Sequence, residues 1–151
     1  MSTTILILVI VAPLLVSAAV AVWIVRGGRR RAEARLAEVP GAVRRTTAAT
    51  SVGLTSLGPG QLRGTGTLVL TDAEVAFAQW RPDRLVRIAR PAIVEVDTTR
   101  THLGKTMKTD LLRIRWTDAT TGDEDTLALF VRELDAWLGD LGGRRAEEPE
   151  Q

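Results

Sequence analysis

The sequence predicts a small, mainly β domain that follows one transmembrane helix and ends in an amphipathic helix. Three observations predict this class. An uninterrupted apolar segment occupies residues 5–25, short alternating runs with turn signals begin near Gly53, and an amphipathic run ends at Gly142-Gly143. Because the chain has 151 residues, it has room for one compact core beside the anchor.

Residues 1–25 are predicted to form the anchor. The apolar run from Ile5 to Val25 would span about 30 Å as a helix, which matches the hydrocarbon core of a bilayer. Pro13 lies inside the run, where a transmembrane helix tolerates it. A cleaved signal peptide is the alternative, since Ser17-Ala18-Ala19 supplies small residues near a possible cleavage point. The apolar run is long and no charged residue precedes it, which favours the anchor.

The residues after the apolar run predict the orientation of the anchor. Basic residues are absent before it, and five arginines follow it closely: Arg26, Arg29, Arg30, Arg31 and Arg35. The positive-inside rule then places the N-terminus outside the cell membrane and the rest of the chain in the cytoplasm. Trp23 lies close to the basic end of the apolar run, where tryptophan side chains are enriched at the level of the lipid headgroups. The same arginines are candidate contacts for anionic lipid headgroups.

Residues 26–50 are predicted to form a basic juxtamembrane helix and linker. Good helix formers run from Arg29 to Val39, and Pro40-Gly41 should stop the helix. Residues 46–51 are polar, small and unpatterned, which is typical of a linker or of an irregular entry into the domain.

Residues 51–142 are predicted to form the β domain. Strand patterns cover residues 65–70, 74–79, 85–89, 92–98 and 111–117, and a polar, basic connection covers residues 99–109. The clearest alternation opposes Leu112, Ile114 and Trp116 to Arg113 and Arg115, so one face of that strand should be core and the other wet.

The segment before Gly142 allows two interpretations. Residues 127–131 could form a last strand followed by a helix over 132–141, or residues 127–141 could form one amphipathic helix. In both cases Gly142-Gly143 ends the helix, and residues 143–151 are expected to be a disordered tail.

The domain contains the run Gly64-Thr-Gly-Thr-Leu-Val-Leu-Thr-Asp, then Glu-Val-Ala-Phe at 74–77, and then Ile88, Pro91 and Ile93 to Val96. In these motifs it resembles bacterial pleckstrin-homology-like and GRAM-like domains. It implies a bent antiparallel barrel or sandwich of about seven strands, with its first strand within residues 50–57. It also implies closure by a C-terminal helix through Trp137 and Leu141, which favours strand then helix. The bias toward arginine, alanine and glycine is typical of high-GC genomes such as those of actinobacteria.

The usual signatures of catalysis and metal binding are missing from the sequence. There is no cysteine, and His102 is the only histidine, so we expect it to be solvated and without a role. The acidic turn at residues 118–125 lacks the spacing of a calcium loop, and the glycines near 64 and 104 match no nucleotide motif. We therefore expect no catalytic, metal or cofactor-binding residues and no enzyme activity.

One further surface is a candidate for contacts with anionic lipid or a protein partner. It comprises Arg100, Lys105 and Lys108 on the predicted hairpin, and Arg113 and Arg115 on the next strand. Nucleic acid is not expected, because no aromatic residue interleaves with the hairpin's basic residues.

The sequence favours a membrane-anchored, non-catalytic binding or scaffolding protein with its domain at the cytoplasmic surface. The alternative is an accessory subunit of a transport or envelope-synthesis complex, in which the helix makes the key contacts. An outward-facing hydrolase is the third reading, and the arginine cluster opposes it.

Overall fold

The computed structural model describes residues 3–146, with side chains from Val9 onward. Two helices and seven strands follow one another along the chain. They are α1 (Thr3–Ala37), β1 (Val43–Leu54), β2 (Gly64–Thr71), β3 (Glu74–Gln79), β4 (Arg84–Ala89), β5 (Ile93–His102), β6 (Lys105–Thr117), β7 (Glu124–Val131) and α2 (Leu134–Leu141).

The strands form one antiparallel sheet in the order β4-β3-β2-β1-β7-β6-β5. The sheet is curled into a half-barrel, and register shifts in β1 and β5 mark local bulges that increase strand twist. The predicted architecture of about seven bent antiparallel strands, a preceding apolar helix and a closing helix is confirmed.

The core fills the inside of the half-barrel, and α2 closes it. Leu68, Phe77, Ile114 and Leu129 are among the fully buried side chains of this core. Trp137 of α2 is completely buried in the same cluster. Of the two interpretations of residues 127–141, a last strand followed by a helix is therefore correct.

The first strand differs most from the sequence prediction. Residues 43–50 were expected to be linker, whereas β1 runs through them and pairs with β2 on one side and β7 on the other. The first half of β1, residues 43–48, is largely exposed and consists mainly of threonine, alanine and arginine. It therefore shows no alternation of apolar and polar residues. Its hydrogen-bonding partners lie far away along the chain, which is why local pattern missed it.

The predicted basic connection at residues 99–109 is also strand. β5 and β6 continue through it as a hairpin whose turn is Leu103-Gly104, both with positive φ (52° and 73°). Two residues with positive φ are what a tight hairpin turn requires.

Residues 26–42 connect the apolar part of α1 directly to the sheet. The helical continuation after Arg26 is confirmed, since α1 stays helical to Ala37 and ends before Pro40-Gly41. The C-terminal part of α1 contacts β2 and β3, and Ala32 is only 1% exposed. Ala76 and Ala78 of β3 are buried outside the main core, on the face opposite Phe77. Their small side chains let the helix approach the sheet closely.

Residues 143–146 are ordered against β5 and are not part of a disordered tail. The Arg144 amide donates to the Val96 carbonyl (3.2 Å), and the Ala146 amide donates to Thr98 Oγ1 (2.9 Å). Arg145 pairs with Asp110 and Asp135. These contacts cover part of an edge strand that would otherwise present unpaired backbone groups. The rest of the predicted tail, residues 147–151, lies outside the described residues.

Candidate membrane interface

The N-terminal half of α1 is an exposed apolar surface. Every side chain from Val9 to Trp23 is exposed, and the segment Val9–Ala37 contains a stretch long and apolar enough to cross a membrane. Trp23 is 77% exposed and lies one turn before Arg26. Water does not stabilise so extensive an apolar surface, whereas hydrocarbon does.

The five arginines that follow differ in their surroundings. Arg29 pairs with Glu33 (2.8 Å), Arg31 donates to the Gly27 carbonyl (3.2 Å), and Arg35 pairs with Asp83 in the β3–β4 turn (3.1 Å). Among the described residues, Arg26 and Arg30 have no carboxylate partner. They lie on the helix face that carries Trp23. This face therefore combines an aromatic side chain with two uncompensated charges.

The basic hairpin is docked onto the β1–β2 connection. Lys105 Nζ donates to the Gln61 carbonyl (2.9 Å), Arg63 contacts Met107 Sδ (3.2 Å), and Arg100 pairs with Asp110 (2.7 Å). Lys108 is exposed. Two of the three predicted contact residues on the hairpin are thus engaged within the domain.

His102 is buried rather than solvated, which corrects the sequence prediction. It is 6% exposed, and its Nε2 donates to the Gly53 carbonyl at 2.9 Å. Burial lowers the pKa of His102 below its ordinary value, because the low-dielectric surroundings disfavour the charged imidazolium. The side chain therefore attaches the hairpin tip to β1, a contact that required tertiary structure to see.

The arginines on the solvent-exposed side of β6 lie opposite carboxylates on β5. Asp97 lies directly opposite Arg113, and Glu95 lies opposite Arg115. Asp97 accepts from Nε (2.7 Å) and Nη2 of Arg113, and this bonding raises the guanidinium pKa. Arg115 donates to Glu95. The predicted wet face exists, but its positive charge is compensated within the sheet.

The acidic β6–β7 turn is held by backbone contacts. Asp118 Oδ1 accepts from the amides of Thr120 (2.7 Å) and Thr121 (3.2 Å), and these hydrogen bonds lower the Asp118 pKa. Asp125 accepts from the Ser56 amide (3.0 Å) and hydroxyl (2.6 Å). Within residues 3–146, no group of three or more acidic, histidine or cysteine side chains is arranged to hold a metal ion. The turn is structural.

A cleft that sequence reasoning did not identify lies where α1 leaves the sheet. Its volume is about 190 Å³, and its lining residues are Ile24, Val25, Gly28, Thr65, Trp80 and Arg81. The Trp80 indole N–H donates to Thr67 Oγ1 (3.2 Å), which fixes the ring against β2. An aromatic residue next to arginine in the β3–β4 turn was the available signal, but only the docking of α1 brings it beside the apolar part of that helix.

Comparisons with known proteins give distant structural similarity only. No protein-family model matches the chain, and no curated protein sequence matches it. The C-terminal domain of an unknown protein from Leishmania infantum is similar in structure, with a TM-score of 0.49, 14% identity, and coverage of 78% of this chain and 95% of that one. The hSac2 domain of the human phosphoinositide phosphatase Sac2 has a TM-score of 0.49, 13% identity, and coverage of 91% and 90%. At a TM-score below 0.5 and identities of 13% and 14%, these similarities carry no information about function.

Proposed function

We propose that this protein is a single-pass membrane protein that holds a non-catalytic, pleckstrin-homology-like binding domain at the cytoplasmic membrane surface. The observation that carries the proposal is the division of α1 into two halves. From Val9 to Trp23 its side chains are exposed and, apart from Ser17, apolar, whereas Gly28 and Ala32 are buried against the sheet. One continuous helix thus serves as anchor and as part of the domain.

The cytoplasmic orientation of the domain rests on charge. Arg26, Arg29, Arg30, Arg31 and Arg35 follow the apolar stretch, and no lysine or arginine precedes it. Loops rich in arginine remain on the cytoplasmic side during insertion. Arg26 and Arg30 are also available to anionic headgroups, since neither has a carboxylate partner among the described residues.

The binding role, as opposed to an enzymatic one, is supported by how the polar side chains are used. His102, the only histidine, is buried and hydrogen-bonded to Gly53. Glu74 and Asp97 are held by Arg87 and Arg113 in cross-strand pairs. Side chains committed to such contacts stabilise the sheet and are poorly placed for proton transfer. The pleckstrin-homology-like assignment is supported by the sequence motifs together with seven antiparallel strands and a closing helix.

Topology is the first test. Two fusion proteins are made, one with a periplasm-active phosphatase and one with a cytoplasm-active fluorescent protein after Gln151. We expect fluorescence without phosphatase activity. Phosphatase activity without fluorescence would contradict the orientation. As a matched control, replacing Arg26, Arg29, Arg30 and Arg31 with glutamine and adding arginines before Ile5 should shift fusions toward the opposite orientation.

Exchange of the apolar part of α1 tests whether the β domain or the helix makes the contacts with partners. Residues 5–22 are replaced with an unrelated apolar span, and residues 23–42 are kept so that the helix still docks on the sheet. Under this proposal the domain retains its membrane location and co-purifies with the same partners. If partners are lost while membrane location is kept, the accessory-subunit interpretation is correct instead.

A further inference from the structure

We propose that the cleft between α1 and the sheet, lined by Ile24, Val25, Gly28, Thr65, Trp80 and Arg81, binds one anionic phospholipid. Part of an acyl chain occupies the cleft, and the phosphate pairs with Arg81. The inference rests on the proposed function, because it requires α1 to span the membrane.

The position of the cleft supports a lipid as its occupant. Ile24 and Val25 are the last apolar residues of the anchor before Arg26, so they lie at the boundary between hydrocarbon and headgroups. Gly28 contacts Trp80 at the next turn of the same helix. The cleft therefore continues the lipid-facing flank of α1, and a chain can enter it without crossing water.

The size and lining of the cleft fit part of a chain. Its volume of about 190 Å³ is below the roughly 300 Å³ at which pockets for whole small molecules begin. Ile24, Val25 and the Trp80 ring supply apolar walls. The indole N–H is already bonded to Thr67, so the ring needs no polar partner from the occupant.

The charge at the rim fits a phosphate. Arg81 is exposed and, among the described residues, has no carboxylate partner. Other arginines of the same region are compensated, such as Arg35 by Asp83 and Arg87 by Glu74. A guanidinium that is uncompensated at headgroup level matches the bidentate geometry of a phosphate.

Native mass spectrometry of the full-length protein in mild detergent tests the inference. The probes are dioleoyl phosphatidylglycerol, dioleoyl phosphatidylcholine and glycerol 1-phosphate. We expect one phosphatidylglycerol to be retained, with much weaker retention of the zwitterionic lipid and no displacement by the soluble headgroup. Equal retention of both lipids, or displacement by glycerol phosphate alone, would overturn the proposed pairing of chain and phosphate.

Two variants locate the binding. Thr65→Phe fills the cleft from the exposed side of β2, and Arg81→Gln removes the charge. Each should weaken phosphatidylglycerol retention at least about tenfold, as expected for the loss of a charge-assisted hydrogen bond or of the chain's space. The matched controls are Thr106→Phe on the hairpin and Arg44→Gln beside Asp72, at the other end of β2. Equal retention by all four variants, or equal loss in the controls, would overturn the inference.

The experiment separates this inference from the proposed function. Extraction of cell membranes with alkaline carbonate should leave the wild-type protein in the membrane, and its release would defeat the proposed function itself. A retained protein with unaltered lipid binding in Thr65→Phe and Arg81→Gln would defeat only the lipid site. If Thr65→Phe released a co-purified protein and left lipid retention unchanged, the cleft would hold a partner helix and the lipid assignment would be wrong.

Discussion

Gly28 of α1 lies against the backbone of Trp80 so closely that a Cβ atom on Gly28 would stand 3.1 Å from the Trp80 carbonyl oxygen. This contact joins the part of α1 that follows the apolar stretch to the end of β3. Because α1 is unbroken to Ala37, the orientation of the sheet relative to the apolar stretch follows from the packing of one helix face.

Gly28→Val should loosen the attachment of α1 to the sheet. The added methyl groups meet the Trp80 backbone, which is held by the hydrogen bond from the Trp80 amide to the Thr65 carbonyl, so we expect destabilisation of about 1–3 kcal/mol. Thermal unfolding in detergent and protease sensitivity near residues 26–42 measure the effect. Gly27→Val is the matched control, since a Cβ at Gly27 meets nothing within 4 Å. Equal effects of the two variants would show that the contact does not matter and that only helix propensity changed.

Trp137→Ala should strongly destabilise the β domain. Trp137 is completely buried and closes the half-barrel, and truncation of a buried aromatic residue costs about 3–5 kcal/mol. The free energy of unfolding in detergent is the measurement. Trp23→Ala serves as the comparison because that side chain is exposed on α1, and it should change the stability of the domain little. A small effect of Trp137→Ala would contradict the role of α2 in closing the core.

Stability should fall as the pH is lowered through the titration of His102. Burial lowers its folded-state pKa, so the unfolded chain, with a pKa of about 6.5, takes up a proton at a higher pH than the folded chain. The stabilisation is fully present above about pH 6.5 and is lost as the pH falls through the folded-state pKa.

Unfolding free energies of the wild type and His102→Gln between pH 5 and 8 test this prediction. The glutamine amide can still donate to the Gly53 carbonyl, but it does not titrate. The difference between the two proteins should therefore shrink or reverse at low pH. A difference that is constant across this range would show that His102 does not titrate differently in the folded state.

Arg113→Gln should lower stability without weakening membrane binding. Its guanidinium is half-buried and already bonded to Asp97, so we expect a cost of about 1 kcal/mol after allowance for solvent screening. Denaturant unfolding gives the stability. Flotation with vesicles containing phosphatidylglycerol, using a chain that lacks residues 1–25, gives the membrane affinity. Reduced flotation at unchanged stability would restore the wet face of β6 as a lipid surface.

Local pattern was sufficient for the elements whose signal lies in neighbouring residues. The apolar run predicted α1, and the strand at residues 74–79 was predicted with the bounds that β3 has. The end of the closing helix was predicted correctly, because Gly142 follows its last residue in a left-handed conformation. Local pattern left the beginning of this helix open, and the resemblance favoured residue 132, two residues before α2 begins. Residues 43–49 of β1 were missed because pairing with β2, and not alternation, keeps them extended. Residues 50–54 of β1 fall within residues 50–57, where the resemblance placed the first strand.

The candidate site was less predictable from the sequence than the fold. The candidate basic residues could be named, but which of those on the strands pair with carboxylates depends on strand register, as in Asp97 opposite Arg113. The burial of His102 and the cleft beside Trp80 depend on contacts between segments about 50 residues apart.

Hydropathy and periodicity are properties of neighbouring residues, so the chain alone was enough to predict a helix long and apolar enough to cross a membrane, a β domain and a closing helix. Tertiary structure decided how these parts meet. The small side chains of Gly28, Ala32, Ala76 and Ala78 carry no hydrophobic signal, yet their size lets a helix lie directly on the sheet. Packing depends on shape complementarity between surfaces that are distant in sequence, and only the folded chain brings those surfaces together.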